Sequence, residues 1–161
     1  GICLGAQILS KILGGKVKPS GGYQFGLRKI WVTSAGSQDA VFSKIRIPLV
    51  PTLHGECFTI PPRAVELASG YMLGKRGQYS RISMAFKHEH SYGFQFEPQL
   101  TLQEFLIWHR EMASEYDRLG PQFDPKDKAA SDLREFTSYS GIYERQMGDL
   151  FRMFLNTNVL T

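Results

Sequence analysis

The chain has 161 residues, the size of a single domain that buries roughly 68–70% of its unfolded surface. With 42% hydrophobic and 21% charged residues, it is neither disordered, collagen-like nor a coiled coil. The net charge of +4 is spread without a block of five basic residues, so we expect no nucleic-acid partner. No apolar run approaches the ~18 residues of a membrane span and no secretory signal opens the chain, so we expect a cytoplasmic protein with no membrane partner.

The first half of the chain predicts one helix and then strands. Residues 4–13 carry apolar side chains at helical spacing and Gly14 and Gly15 follow them, which predicts a short buried helix. Strands are predicted where β-branched and aromatic residues lie between Gly and Pro, at 29–34, 64–69, 81–87 and 92–97. A helix and several strands favour an α/β layer fold of one domain.

The second half of the chain predicts two helices. Thr101 and Glu104 form a capping-box pattern, and the helix that they open is expected to end near Gly120. Residues 122–130 are polar and predict a loop. Helical spacing of apolar residues from Tyr143 onward predicts a last amphipathic helix.

The chain opens on a G-x-C-x-G pattern that runs into the predicted helix. In a nucleophile elbow the strand-to-helix turn is so tight that the residues two before and two after the nucleophile must be small, as Gly1 and Gly5 are. The helix N-terminus would lower the pKa of the Cys3 thiol, and the Leu4 N–H would point at a developing oxyanion. Cys3 is therefore a candidate nucleophile.

Three segments in order carry a resemblance to a known family. They are residues 1–17 with GICLGAQIL and LGGKV, residues 54–62 with HGECFTIPP, and residues 92–99 with YGFQFEPQ. Together they resemble the class I glutamine amidotransferases, in particular proteins similar to the amidotransferase domain of GMP synthase. The third segment is similar to the family's G-x-Q-F-H-P-E block.

The resemblance implies a fold and a domain. The fold is a three-layer α/β/α sandwich with a largely parallel sheet, and residues 1–161 correspond to the family's domain from the elbow onward. The family's preceding strands and second oxyanion donor are absent from these residues. We expect a longer parent protein, with a second chain supplying that layer as the alternative.

The resemblance also implies a chemistry without a cofactor or metal. Cys3 would attack the side-chain amide of glutamine or a γ-glutamyl compound, ammonia would leave from a thioester, and a synthase subunit is a possible recipient. Leu4 would supply the oxyanion N–H, and the implied substrate-binding residues are Gly5, Gln7, His54 and Gly55. Gln24 stands where the family usually has Glu, and we expect it to order a loop by hydrogen bonding.

Two positions depart from the family pattern at the catalytic pair. Glu97 stands where the family has the His base, and Gln99 stands where it has the Glu that orients this His. A carboxylate beside Cys3 repels a thiolate and should raise the thiol pKa. The sequence therefore leaves two functions open: a Cys hydrolase with Glu97 as a base, and a catalytically degenerate binding or scaffolding subunit.

Other histidines offer two further alternatives. His54 is a candidate replacement base because its segment borders the implied glutamine pocket, whereas His88 and His90 fall in a turn at the far end of a strand. His54, Cys57, His88 and His90 also have ligand-compatible spacings for zinc, if the two pairs converged.

Overall fold

The computed structural model describes residues 1–158. This part of the chain contains four α-helices and six strands. The helices are α1 (Leu4–Ile12), α2 (Ser34–Gln38), α3 (Leu102–Glu111) and α4 (Pro125–Asn158). The strands are β1 (Val17–Lys29), β2 (Trp31–Val32), β3 (Leu49–Phe58), β4 (Val65–Leu73), β5 (Tyr79–His88) and β6 (Ser91–Phe94). Two short 3₁₀ helices lie at Phe42–Lys44 and Ala113–Arg118.

All pairs between these strands are antiparallel, so the expectation of a largely parallel sheet is wrong for the described residues. β1 pairs with β3, and a separate four-stranded sheet has the order β2-β4-β5-β6. Short connections explain why neighbouring strands are antiparallel. Only two residues lie between His88 and Ser91, which pair with each other, and so tight a turn between β5 and β6 can only reverse the chain. One parallel contact remains, an isolated bridge between Ile2 and Phe94 at the β6 edge.

The core is built from the strands and α4. Aromatic side chains of both are fully buried there, with Phe105 of α3 tilted against Phe136 at 4.6 Å between ring centroids. A smaller cluster places Ala6 of α1 against Phe58 and Phe86, whose rings meet edge to face. The helix and strand content matches the α/β expectation, and the three-layer arrangement remains a prediction.

The predicted first helix is confirmed, but its buried face differs from the expectation. Three of its large apolar side chains are exposed, since Leu4, Ile8 and Ile12 are 64%, 51% and 76% accessible, whereas Leu9 is half-buried. The small and polar residues Ala6, Gln7 and Ser10 are buried instead. Helical spacing identifies a stripe, whereas the identity of its packing partners decides which stripe is buried.

The closing helices also extend and correct the sequence expectations. Thr101 and Glu104 form the predicted capping box, but α3 ends at Glu111. The loop predicted for residues 122–130 is wrong, because α4 already begins at Pro125. Asp124 accepts the backbone N–H groups of the first turn, and Pro is well suited to the first helical position. The helix expected from Tyr143 is the second half of the same continuous α4.

α4 fixes the segment that enters β3. The Gln146 side-chain oxygen accepts the backbone N–H groups of Arg46 and Ile47, and its amide nitrogen donates to the Ile47 carbonyl. The hydroxyl of Tyr139 donates to the Leu49 carbonyl at 3.0 Å. The strand that borders the candidate site is therefore held in place by buried polar contacts from one helix.

Replacing Gln146 with Ala should destabilise the protein by about 1–3 kcal/mol, because two buried backbone N–H groups lose their acceptor. Urea unfolding followed by circular dichroism measures the change. Gln103→Ala on the exposed face of α3 is the matched control and should change the free energy of unfolding by less than about 0.5 kcal/mol. Equal effects of both substitutions would contradict this role of Gln146.

Candidate active site

Cys3 sits at a strained turn at the start of α1. Its φ of 46° and ψ of −110° make it one of the few non-glycine residues of the described chain with positive φ. A Cβ at Gly1 would lie 2.4 Å from the Gly5 carbonyl oxygen, so position 1 must be glycine in this turn. Position 5 has no atom within 4 Å of an added Cβ, and the expected steric requirement for Gly5 is therefore wrong.

The elbow is anchored to the end of β6. The Cys3 N–H donates to the Phe94 carbonyl at 2.7 Å, and the Phe94 N–H donates to the Gly1 carbonyl at 2.9 Å. The Leu4 N–H is directed at the Cys3 sulfur and favours its thiolate. The role of Leu4 as an oxyanion donor remains a prediction.

The Cys3 thiol faces β3 and the segment after β6. Its sulfur lies 3.6 Å from the Leu53 carbonyl oxygen, and the Gln95 side-chain nitrogen approaches it at 3.8 Å. Gln7 donates to the Gln95 side-chain oxygen at 3.4 Å and to the Glu56 carbonyl at 3.3 Å. Cys3 and Gln7 thus both border the same edge of β3.

Glu97 occupies the position next to the thiol. The residue is 8% accessible, and its carboxylate contacts the Cys3 sulfur while accepting a 2.7 Å hydrogen bond from the Gln99 amide. Burial and then the negative charge of Glu97 raise the pKa of the Cys3 thiol to about 11. The structure brings Cys3, Glu97 and Gln99 together, and their arrangement favours a neutral thiol.

The backbone of Glu97 is held from two sides. Its N–H donates to the Pro51 carbonyl at 3.0 Å, and its carbonyl accepts a 2.9 Å hydrogen bond from the Tyr143 hydroxyl. β3 and α4 therefore position the carboxylate against the elbow. Sequence reasoning did not identify Tyr143 or Gln95 as site residues, although Gln95 lies inside the block that resembles the family.

His54 is buried, and its ring is turned toward other groups than the Cys3 thiol. One ring nitrogen lies 2.9 Å from the Glu56 carbonyl and the other 2.9 Å from the Gln24 side-chain oxygen. Burial lowers the pKa of His54 to about 4, so the imidazole is neutral at pH 7. Gln24 also donates to the Tyr71 carbonyl at 3.0 Å, which makes it an ordering residue between β1, β3 and β4. The His54 alternative as a replacement base therefore lacks support.

The histidines and Cys57 do not converge on a metal site. Within residues 1–158, no three side chains of His, Cys, Asp or Glu come close enough to hold a metal ion together. His88 pairs with Ser91 at the hairpin turn, whereas the elbow meets the other end of β6 at Phe94. The zinc alternative has no geometric support.

Gly55 and Glu56 form part of the wall of a cleft of about 1200 Å³ beside β1 and β3. The cleft continues to the segment between α3 and α4, where Arg118, Leu119 and Phe123 line it. The predicted substrate-binding segment therefore lies between the Cys3 side of β3 and an open cavity.

Comparisons with known proteins identify the fold. The chain is 29% identical over 110 residues to the GMP synthase [glutamine-hydrolyzing] of Aeromonas salmonicida (strain A449), a match that covers 63% of this chain and 20% of that protein. No protein-family model matches the chain. Glutamine amidotransferase crystal structures from Methylobacillus flagellatus and Thermotoga maritima superpose with TM-scores of 0.75 and 0.67, at 20% and 21% identity.

The chain has the glutamine amidotransferase fold. Both superpositions cover 96% of the chain, and the chain spans 61% of each solved structure, so it corresponds to part of each of those chains. The resemblance inferred from the three sequence segments is confirmed at this level. None of the described helices combines the length and the apolar character that a membrane crossing requires.

The buried His54 should make stability depend on pH. Its folded pKa of about 4 lies below the unfolded value near 6.5, so protonation of the unfolded state destabilises the fold as the pH falls from about 6.5 toward 4. Between pH 7 and pH 5 this one group should remove about 2 kcal/mol of stability.

Urea unfolding of the native protein and of His54→Asn at both pH values isolates this contribution. The native protein should lose more stability than the variant on acidification, by about the amount given above. Parallel losses in the two proteins would show that His54 is not held neutral by burial.

Proposed function

We propose that this chain is a glutamine amidotransferase-like domain that binds glutamine or a γ-glutamyl compound without hydrolysing it at neutral pH. The observation that carries this proposal is the Glu97 carboxylate, which contacts the Cys3 thiol where an activating base would be needed. His54 is turned toward the Glu56 carbonyl and the Gln24 side-chain oxygen and not toward the thiol. The degenerate alternative from the sequence is therefore the better supported one.

The chemistry of thiols gives the reason. The thiolate attacks an amide carbonyl, and a thiol with a pKa of about 11 is ionised only in about one molecule in 10⁴ at pH 7. A carboxylate can also accept the thiol proton, but it then leaves a neutral acid and an unpaired thiolate in a half-buried site. Attack on an unactivated amide is therefore disfavoured, both by the small fraction of thiolate and by the cost of an unpaired thiolate in this site.

Binding is supported by groups that do not depend on the thiolate. Gln7 and Gln95 lie next to Cys3, where they hydrogen-bond to each other and to the Glu56 carbonyl, and the Leu53 carbonyl faces the thiol. An amide-bearing ligand would exchange hydrogen bonds with these groups. A synthase subunit is the proposed partner, and the sequence match to a GMP synthase supports that choice.

The Cys hydrolase is the second candidate, and one observation favours it. Cys3 retains the strained elbow conformation, with the Leu4 N–H directed at its sulfur. Backbone strain of this kind occurs at functional sites, where the surrounding structure maintains it. In this alternative Glu97 takes the thiol proton and returns it to the departing amine.

Alkylation of Cys3 by iodoacetamide as a function of pH separates the two candidates. At pH 7 the folded protein should react about 100-fold more slowly than a synthetic peptide of residues 1–13, because an ordinary thiol pKa near 9 leaves about 100 times more thiolate. The rate should rise with a midpoint near pH 11, and added glutamine should slow it by occupying the site.

Two variants control this experiment. Cys3→Ser should abolish the labelling and so separate it from any reaction of the buried Cys57. Glu97→Gln keeps the side-chain volume and removes the charge, so it should lower the midpoint. If the labelling rate of the native protein has its midpoint below pH ~8.5 and ammonia is released from glutamine, the hydrolase is correct and the binding proposal is wrong.

The double variant Glu97→His and Gln99→Glu should restore a reactive thiol. It places an imidazole beside Cys3 and a carboxylate in position to orient it, an arrangement that stabilises the thiolate. We expect the labelling midpoint to fall below ~8.5, and the midpoint is the readout because it reports the thiol directly.

Gln99→Glu alone is the matched control for the double variant. It adds a second carboxylate next to Glu97 without a cation, so it should not lower the midpoint. An unchanged midpoint in the double variant would show that burial alone, and not the identity of residues 97 and 99, keeps the thiol neutral.

A further inference from the structure

A small pocket lies between β1, β2, β4, the first residue of β5 and the segment before α4. Its volume of about 160 Å³ is close to the roughly 150 Å³ of a protein cavity that holds one benzene molecule. We call it the aromatic pocket, because five aromatic side chains line it: Tyr23, Trp31, Tyr71, Tyr79 and Phe123. A pocket with this volume and lining is suited to one planar ring.

Three of these aromatic side chains are unusually exposed. Trp31, Tyr71 and Tyr79 are 44%, 46% and 69% accessible, although aromatic side chains bury most of their surface in folded proteins. Trp31 and Tyr71 lie on the paired strands β2 and β4, and their rings meet edge to face at 4.9 Å between centroids. A cluster of large apolar side chains that stays exposed at a pocket marks a binding site.

Two cations accompany the rings. Lys29 lies 5.6 Å from the centroid of Trp31, and the Arg28 guanidinium lies 5.8 Å from the centroid of Phe123. Both cations line the aromatic pocket, whereas no Asp or Glu of residues 1–158 does. The pocket therefore combines ring faces with a net positive charge, which favours an anionic ligand.

Arg28 has no carboxylate to itself. The buried carboxylate of Asp132 attracts Arg28 but already pairs with Lys128 in α4. Arg28 also donates to the Leu27 carbonyl at 2.6 Å, which leaves other guanidinium N–H groups for a ligand. Among the described residues, no ion pair includes Arg28 or Lys29. An anion in the aromatic pocket would supply the missing charge.

The size of the pocket and the charge pattern of the chain distinguish among anions. A single-stranded nucleic acid also stacks its bases on aromatic rings, but it needs a basic groove that follows its backbone beyond one ring. The basic residues of this chain form no such block. A guanidinium matches the planar geometry of a carboxylate, and a single ring fills the volume. The observations therefore favour one small molecule with a ring and a carboxylate.

We propose that the aromatic pocket binds a small aromatic carboxylate, with its ring against Trp31 and Tyr71 and its carboxylate paired by Arg28 and Lys29. This site is distinct from the elbow, because Cys3 is not among the residues that line it. The ligand therefore binds whatever the protonation state of the thiol, and the proposal does not rest on the proposed function.

Isothermal titration calorimetry of the native protein at pH 7 with three matched ligands tests the proposal. Benzoate should bind with a Kd below about 1 mM, within what its few non-hydrogen atoms allow. Benzamide has the same ring without the charge and should bind at least about tenfold more weakly. Cyclohexanecarboxylate keeps the charge without the aromatic ring and should bind about threefold to tenfold more weakly than benzoate.

Two variants locate the binding. Lys29→Gln should weaken benzoate binding about fivefold, whereas Lys18→Gln, at an exposed lysine of the same strand outside the pocket, should leave it unchanged. Trp31→Leu should reduce the preference for benzoate over cyclohexanecarboxylate to less than about twofold. This readout is a ratio of two affinities of one folded variant, so it does not depend on the variant being as stable as the native protein.

Three results would overturn the proposal. The first is no heat of binding for benzoate at concentrations up to about 10 mM, ten times the largest expected Kd. The second is an equal affinity for all three ligands, or an unchanged preference in Trp31→Leu. The third is tighter binding of uridine 5′-monophosphate than of benzoate, which would assign the pocket to a nucleotide instead of a carboxylic acid. None of these results bears on the binding of glutamine beside Cys3.

Discussion

Burial and the contact with the Glu97 carboxylate together set the protonation state of the Cys3 thiol. The elbow geometry brings the thiol to the turn before α1, and the Leu4 N–H would stabilise a thiolate there. Burial and the carboxylate act in the opposite direction, and together they prevail, raising the thiol pKa to about 11. The same turn that would activate a nucleophile beside an imidazole thus holds a neutral thiol beside a carboxylate.

That contact is maintained by the framework around it and not by the two side chains alone. β3 and α4 fix the backbone of Glu97 through the Pro51 carbonyl and the Tyr143 hydroxyl. The same helix secures the entrance to β3 through Gln146. These bonds hold the backbone of Glu97, and the Gln99 amide holds its carboxylate, so a thiolate would form next to a negative charge at a cost in free energy.

Local signals in the sequence predicted local structure, and long-range packing explains the errors. The capping box at Thr101 needs only residues three apart, and it is present as predicted. The strand direction was inferred from the family and is wrong for these residues, because the two-residue turn after His88 reverses the chain. The polar segment around Pro125 predicts a loop, but α4 begins at this residue, because proline is also favoured at the first position of a helix. The departure at Glu97 was visible in the sequence, whereas the neutral state of His54 depends on burial that no spacing reveals.

The amide side chains around the site suit a protonated thiol. The side-chain oxygen of Gln24 faces a ring nitrogen of His54 as an acceptor, and the Gln99 amide donates to Glu97 without competing for a proton. Each amide satisfies a buried polar partner, which a second carboxylate could do only with like-charge repulsion at Glu97. The site is thereby stable with its thiol protonated.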